Sequence, residues 1–469
     1  MVATLLQGLS SCYDYSKEEP MGSPLSPGMV SYINLTVSVR GSGSVTRGTP
    51  LGGEDGDGRE KGIDTRENVV EGVTIVFFRN DAGINATDAS AAATPIDFVA
   101  YYPTQRDDSY RPRTGTHYPD EVYYTTGEQV LDQALDATKT YHILVVANAN
   151  LVGTITTYNL KQVRDMVYSS ALYQGTTVAD ATKFVMTSAD DNVLTFSDYT
   201  DNVATNRRIF QFDNIHIERM AARIDYWAKG ATYTTAYDDR GGYLYDVEGS
   251  ASDKFVLTSI EPFNLNGGNE YLFKRTSDAT SPYLANETQA NWVVGPYSQS
   301  QTAAAHPSYM VSTNTLTAVA GKAGVLAIAL DEDDKVSVEG EDDIIILAYP
   351  KENTIGATTP IYYYATGLAF EGYYYKDGAK TGGERRVYYH FLRHQGEQSV
   401  AYNAINAEGL AAFDKSTTIG SDGTPMNFGI VRNNIYRVSV DKINAAAGTI
   451  RLTIEEKPWR YVEHPAIYL

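Results

Sequence analysis

The sequence predicts an all-β fold of two tandem antiparallel β-sandwich domains with few short helices. Three observations carry that expectation. Tyrosine dominates the aromatic residues, with 36 Tyr against 14 Phe and 3 Trp, and with 39 Gly beside it this favours sheets joined by turns. Short apolar runs recur with period 2, the spacing of a strand that buries one face. No rhythm of strand, long helix and strand is present, so a parallel α/β sheet is not expected. At 469 residues the chain suits two or three domains.

Charge and composition exclude several classes. Lys and Arg number 38 and Asp and Glu 58, a net charge of −20. Such a surface lacks the basic face that nucleic acid requires. No apolar run is long enough for a membrane-spanning helix. The single cysteine rules out an intrachain disulfide framework and a cysteine-rich metal site.

Residues 1–28 read as a signal or lipoprotein remnant followed by a polar linker. Ala3 to Leu9 is short and mostly apolar, and Ser10 and Ser11 lead to Cys12. That cysteine is either incidental to a frayed terminus or the lipid-modified end of a secretory signal. A first domain over 29–212 opens with a strand, Tyr32 to Arg40. Here Ile33, Leu35, Val37 and Val39 alternate with Asn34, Thr36 and Ser38, so one face is expected in the core and the other in water. From Gly41 to Arg66 the chain is glycine-rich, polar and aperiodic, an exposed loop of the kind proteases cut.

Val69 to Phe78 and Tyr141 to Asn148 are apolar on both faces and read as central strands. Ile96 to Tyr102, Val122 to Thr126, Phe184 to Thr187 and Val193 to Phe196 are shorter strands. Glu128 to Asp136 reads as one or two helical turns. Asn159 caps a helix expected over Leu160 to Leu172. A second domain over 213–469 begins within Ile209 to Tyr226, a strand with an irregularity at Glu218 to Ala221. Further strands are expected at Tyr243 to Val247, Phe255 to Phe263, Tyr271 to Phe273, Ile344 to Tyr349, Pro360 to Ala369, Arg385 to Arg393 and Ile430 to Val440. Asn403 to Phe413 reads as a short helix and Asp331 to Asp343 as solvated acidic chain. Ile450, Leu452 and Ile454 alternate in a last strand. Beyond it Trp459, Ile467 and Leu469 make the terminus apolar, so it is expected to be buried in its own domain or in a neighbour.

Catalytic and metal motifs are missing. The chain has no HExxH, GxSxG or GxxxxGK[ST] pattern. His390 and His394 are four apart, but they read as strand, and Phe391 stands where a metalloprotease needs glutamate. The run Asp331 to Asp334 has Val336 at the sixth position, where a calcium loop needs glycine. The sequence therefore assigns no catalytic residue, no cofactor and no metal. Tyr362 to Tyr364 and Tyr373 to Tyr375 are candidates to line a glycan cleft, yet adjacent tyrosines face opposite sides of a strand, which favours sheet packing.

Four features stand out together. Leu9-Ser10-Ser11-Cys12 follows a short apolar run. A lone early strand precedes a loop with Thr46-Arg47. A strand carries ERMAARIDY, Glu218 to Tyr226. The block FGIVRNNIYRVSV, Phe428 to Val440, is followed by a strand and Pro458-Trp459. In these features the chain resembles the fimbrillins, the shaft subunits of Bacteroidales fimbriae, also called type V pili. The resemblance covers about residues 9–469, and its C-terminal block is the most specific part.

The resemblance implies transthyretin-like sandwiches and export as an outer-membrane lipoprotein acylated at Cys12. It also implies maturation by an arginine-specific protease and assembly into a cell-surface fimbria. The cut is expected after Arg47, with Arg40, Arg59 and Arg66 as alternatives. It would free the strand bearing Ile33, Leu35, Val37 and Val39. A donor segment of a neighbouring subunit, within 451–469, would replace it, drawing on Ile450, Leu452, Ile454, Trp459, Ile467 and Leu469. Main-chain pairing and alternate side chains drive such strand addition. A head-to-tail contact does not close, so a homopolymer results. The implied partners are further copies, the protease, and anchor and tip subunits. Membrane contact is implied only through the precursor's lipid. Two other functions stay open: a non-polymerising tip or accessory adhesin, and a surface glycan-binding protein.

Overall fold

The computed structural model describes residues 30–39, 60–61, 64–79, 91–107, 109, 122–131, 135, 141–176, 178–188, 192–194, 199–266, 269–277, 293–296, 328–329, 336–338, 341–354, 365–394, 399–406, 428–444 and 449–460. Most of them lie in strands. The first twelve are β1 (Val30–Val39), β2 (Glu60–Lys61), β3 (Gly72–Arg79), β4 (Ile96–Pro103), β5 (Gln105–Arg106), β6 (Val122–Val130), β7 (Tyr141–Ala147), β8 (Val167–Tyr168), β9 (Met186–Ser188), β10 (Asn192–Leu194), β11 (Tyr199–Asn202) and β12 (Arg207–Arg219). The rest are β13 (Arg223–Trp227), β14 (Thr232–Tyr237), β15 (Arg240–Asp246), β16 (Lys254–Phe263), β17 (Glu270–Tyr271), β18 (Ile328–Ala329), β19 (Val336–Val338), β20 (Glu341–Ala348), β21 (Gly367–Tyr375), β22 (Glu384–Phe391), β23 (Ser399–Ile405), β24 (Asn434–Asn444) and β25 (Thr449–Arg460).

One sheet runs β4-β3-β7-β9-β12-β1-β6-β5, with β10 on β7 and β11 on β12. Its two ends are joined by the chain itself. β4 stops at Pro103 and β5 starts at Gln105, so residues 96–106 pair with β3 at one end of the order and with β6 at the other. Thr104 makes the corner, its N–H donating to Glu71 O at 2.9 Å. The chain thus links the two ends of the order at residue 104, although β4 pairs with β3 alone and β5 covers only Thr125 and Tyr124 of β6. A second sheet runs β14-β15-β16-β21-β22-β23-β25-β24-β13-β20-β19, with β18 on β16 and β2 on β25. β8 pairs with β17.

The cores follow the sheets. One apolar cluster draws on Ile33 through Ala221, joined by Leu272, Phe273, Ile346, Tyr349 and Ile435. A second large one runs from Ala222 to Ile454, with small satellites at Tyr237, Val256 and Tyr375 and at Val293 and Val431. The changeover therefore falls at Ala221/Ala222, in the break between β12 and β13, whereas residues 212 and 213 lie inside β12. β3 and β7 are buried along their lengths except at Arg79, as strands apolar on both faces require.

Several expectations are corrected. The sheets are not purely antiparallel: β1 runs parallel to β12, and β13 parallel to β24. The helix expected over Leu160 to Leu172 is one turn, Leu160–Arg164. Its cap is as read: Asn159 Oδ1 accepts from Gln162 N at 2.8 Å and Gln162 Oε1 from Asn159 N at 2.9 Å. The chain then extends into β8, because pairing with β17 outweighs weak local helix preference. Residues 128–130 continue β6, residues 341–343 belong to β20, and residues 403–405 belong to β23. In the last case cross-strand contact with β25 overrides the helical pattern. The irregularity expected near Glu218 to Ala221 is present, as the break after Arg219.

Candidate functional site

The site is built around β1, an interior strand of the first sheet. Its odd positions Ile33, Leu35 and Val37 are 0% exposed and Val39 1%. Its even face is polar but not simply solvated, which corrects the expectation: Thr36 and Ser38 are buried too, and Ser38 Oγ is hydrogen-bonded to His216 Nδ1 at 2.7 Å. Burying four aliphatic side chains at roughly 1.5–3 kcal/mol each contributes about 6–12 kcal/mol. A whole domain is stable by only about 5–15 kcal/mol. Losing this strand without replacement would therefore take most of the stability of the cluster it fills.

Two flanking strands hold it in one register. β12 pairs from Val30↔Arg207 to Val39↔Ile217, and β6 from Tyr32↔Val130 to Val39↔Val122. Both carry an irregularity at the same level, between Leu35 and Val37 on one side and Asn34 and Thr36 on the other. At that level Leu35 N donates to Thr126 Oγ1 at 3.0 Å instead of to a backbone carbonyl, and Gly127 takes φ +60°, a conformation that favours glycine. Paired bulges of this kind pin a register. Near the start of the strand Arg207 of β12 pairs with Glu128 of β6 across β1, and its guanidinium lies 3.9 Å from the Tyr32 ring centre. Without β1, β12 and β6 would face each other across two strand spacings, about 9.6 Å, room for one strand.

β1 is joined to the described residues that follow it through residues 40–59, which lie outside the described residues, as do Arg40, Arg47 and Arg59. Arg66 is described, and it is folded into the body. It sits in the helical turn Asp64–Glu67, its Nη1 donates to Val178 O and Ala179 O, and its carbonyl accepts from Thr182 Oγ1 at 3.0 Å. A protease needs an extended segment, so Arg66 is poorly presented for cutting.

The second sheet holds a counterpart. β13 also lies between a parallel partner, β24, and an antiparallel one, β20. The two strands differ in how they are fastened. β13 continues directly from β12 and carries buried charge. Arg223 donates to Asp225 from Nε and Nη2 at 2.9 and 2.8 Å and to Glu67 Oε2 from Nη1 at 3.1 Å. Arg437 Nη2 reaches Asp225 Oδ2 at 3.2 Å, and all four residues are 0% exposed. β1 holds no charged side chain, so its departure breaks no buried ion pair within the strand.

The charges around β13 extend into a junction that sequence reasoning did not assemble. Glu67 accepts from Arg223 and from the Tyr349 hydroxyl, and its carbonyl accepts from Arg219 Nε at 3.1 Å. Arg219 also donates to Asn68 Oδ1 and, at 3.3 Å, to Asn433 Oδ1. Burial lowers Arg219 to about 10, against the pull of Glu67. Burial also works against charge on Arg223, but Asp225 and Glu67 outweigh it and raise its pKa. The available signal was four charged residues, Glu218, Arg219, Arg223 and Asp225, inside an apolar stretch. Buried charges are nearly always paired, but the partners were not readable.

A neighbouring group titrates. Glu270 Oε2 lies 3.8 Å from Arg432 Nη2 and accepts from Glu352 N at 3.1 Å. Burial pushes its carboxyl up to about 8, with Arg432 opposing and Glu352 adding. The folded value is above the unfolded one, so this group's contribution is fullest below about pH 4.5 and is lost as pH rises through about 8. Glu270→Gln is therefore expected to gain stability relative to wild type between pH 5 and pH 8 in urea unfolding. Parallel pH profiles for the two proteins would contradict this.

The C-terminal residues divide. Ile450 and Leu452 are 0% exposed and Ile454 1%, on a strand paired with β23 and β24 on its two sides. They fill this chain's own core, which corrects their assignment to an outgoing donor. Trp459 lies at the end of β25, where Glu60↔Trp459 and Lys61↔Arg460 pair in parallel. Cys12, Ile467 and Leu469 lie outside the described residues, as do Tyr362 to Tyr364. Tyr373 to Tyr375 lie in β21, with Tyr375 buried and the other two half-buried. Among the described residues no group of three or more His, Cys, Asp or Glu is placed to hold a metal ion, and no helix is long and apolar enough to cross a membrane.

No family model matches the chain, and no curated protein matches it. Solved structures do. A fimbrilin from Porphyromonas gingivalis is 13% identical at a TM-score of 0.42, over 93% of this chain and 99% of that one. The tip fimbrial protein of Porphyromonas gingivalis with C-terminal truncation is 12% identical at 0.39, over 91% and 100%. A fimbrial assembly protein from Parabacteroides distasonis is 10% identical at 0.35, over 92% and 99%. At such identities and TM-scores these proteins are what the chain is similar to, and nothing about its function follows from them.

Proposed function

We propose that the chain is a structural, non-enzymatic subunit of a bacterial surface filament, a fimbrillin-like protein that polymerises by protease-triggered strand exchange. One observation carries the reading. A buried, uncharged strand, interior to the first sheet, is followed by a glycine-rich segment bearing Arg47 that joins it to the rest of its domain. A single cut in 40–59 turns β1 into a non-covalent plug.

On this reading the two large apolar clusters are two domains, and the first carries the slot. The precursor is exported, acylated at Cys12 and held at the outer membrane. An arginine-specific protease cuts after Arg47, and β1 leaves as the tail of a second copy enters. On this reading the donor lies within 456–469, with Trp459, Ile467 and Leu469 supplying apolar side chains; residues 456–460 must then leave their pairing with β24 and β2, while Ile450, Leu452 and Ile454 stay in their own core. Repetition yields a cell-surface fimbria, completed by anchor and tip subunits.

The test is limited digestion of the purified full chain with an arginine-specific protease. The expected result is a cut confined to 40–59 and a ladder of oligomers that resists mild detergent. Arg47→Ala should stay monomeric, and so should a chain ending at residue 455. A nicked wild-type protein that remains monomeric would overturn the reading in favour of a non-polymerising tip or accessory adhesin.

A further inference from the structure

We infer that the β1 slot reads an aromatic side chain, so that the strand it accepts from a second copy must present Tyr, Trp or Phe outward at the level now held by Tyr32. The inference rests on the strand-exchange reading and names what that exchange selects. Arg207 and Glu128 come from the two walls of the slot and meet over the strand between them. The Arg207 guanidinium stands 3.9 Å from the Tyr32 ring centre, well within cation–π range. Glu128 holds the guanidinium in place over the ring.

Both walls remain when β1 leaves, so this pair meets whatever strand enters. Leucine fills similar space but offers no π face to the cation. Because the bulges on both walls fix the register at Leu35, the aromatic is demanded at one place and not anywhere along the strand. The tail of this chain carries Trp459, Tyr461 and Tyr468 for that place.

The test uses nicked full-length protein and a fluorescent peptide of residues 30–39, followed by anisotropy as it exchanges into the slot. A peptide with Tyr32→Leu is expected to bind about 3–10-fold more weakly. In Arg207→Ala protein the two peptides should bind alike, and in Glu128→Gln protein the difference should shrink. Circular dichroism checks that both variants fold. A tail peptide of 456–469 should lose a similar factor when one of Trp459, Tyr461 or Tyr468 is changed to Leu. Equal binding of the unaltered and Tyr32→Leu peptides to the wild type, or a preference that survives Arg207→Ala, overturns the inference alone. If even the unaltered peptide fails to enter, the exchange reading falls and the inference with it.

Discussion

Leu35→Ala is expected to lower the stability of the intact chain by about 2–5 kcal/mol, read as the shift of a urea or guanidinium unfolding midpoint. Leu35 is fully buried at the centre of β1, between two bulged walls that cannot easily collapse onto the smaller side chain. Val30→Ala on the same strand is the control, since Val30 is 42% exposed and should change stability by no more than about 0.5 kcal/mol. After nicking, the same Leu35→Ala change is expected to speed loss of the fragment that carries β1 and to advance assembly. The plug is then weaker while the slot is unaltered. Equal, small effects from both variants would mean that β1 contributes no more than an exposed segment does.

Glu67→Ala should be as severe. It removes the carboxylate that meets Arg223 and the Tyr349 hydroxyl while Arg219, Arg223 and Arg437 stay buried with Asp225. Breaking a buried pair from one side costs about 3–5 kcal/mol, because the remaining charge is uncompensated. Glu67→Gln should cost less, since its side-chain oxygen can still accept the Tyr349 hydroxyl proton. Denaturant unfolding of the three proteins orders them. An alanine variant within about 1 kcal/mol of wild type, on the scale of an exposed ion pair, would show that the junction is not the pin described. Glu67 also follows residues 40–59 closely in sequence, so under the proposed cut this junction would anchor the new N-terminal arm.

The parts of this fold that were legible in the sequence are those governed by local alternation. Ile33 to Val39, Val73 to Phe78 and Tyr141 to Ala147 each announce their own strand, and the break after Arg219 shows as a slip in period. Pairing was not legible. Ser38 meets His216 across 178 residues and Leu35 meets Thr126 across 91, and nothing local distinguishes a parallel neighbour from an antiparallel one. The link through Thr104 is likewise a tertiary fact. Asn403 and its neighbours suited a helix until β25 supplied a partner.

The slot itself was half visible. The alternation of β1 marked a buried strand, while the cut proposed in the glycine-rich stretch after it is a reading of composition alone. The ionic contrast between β1 and β13 was not foreseen, because a charge in a sequence does not name its partner. The inward fate of Ile450, Leu452 and Ile454 was equally hidden. An alternating strand looks the same whether it serves its own core or a neighbour's.

One measurement decides between a permanent core strand and a removable one. Assembled polymer is purified from nicked protein, dissolved in strong denaturant and analysed by mass spectrometry for peptides covering residues 30–39. Strand exchange predicts that these peptides are absent from interior subunits and recovered in the soluble fraction in proportion to polymer formed. Their retention in the polymer, one copy per subunit, would show that β1 never leaves its place and that assembly, if it occurs, uses another surface.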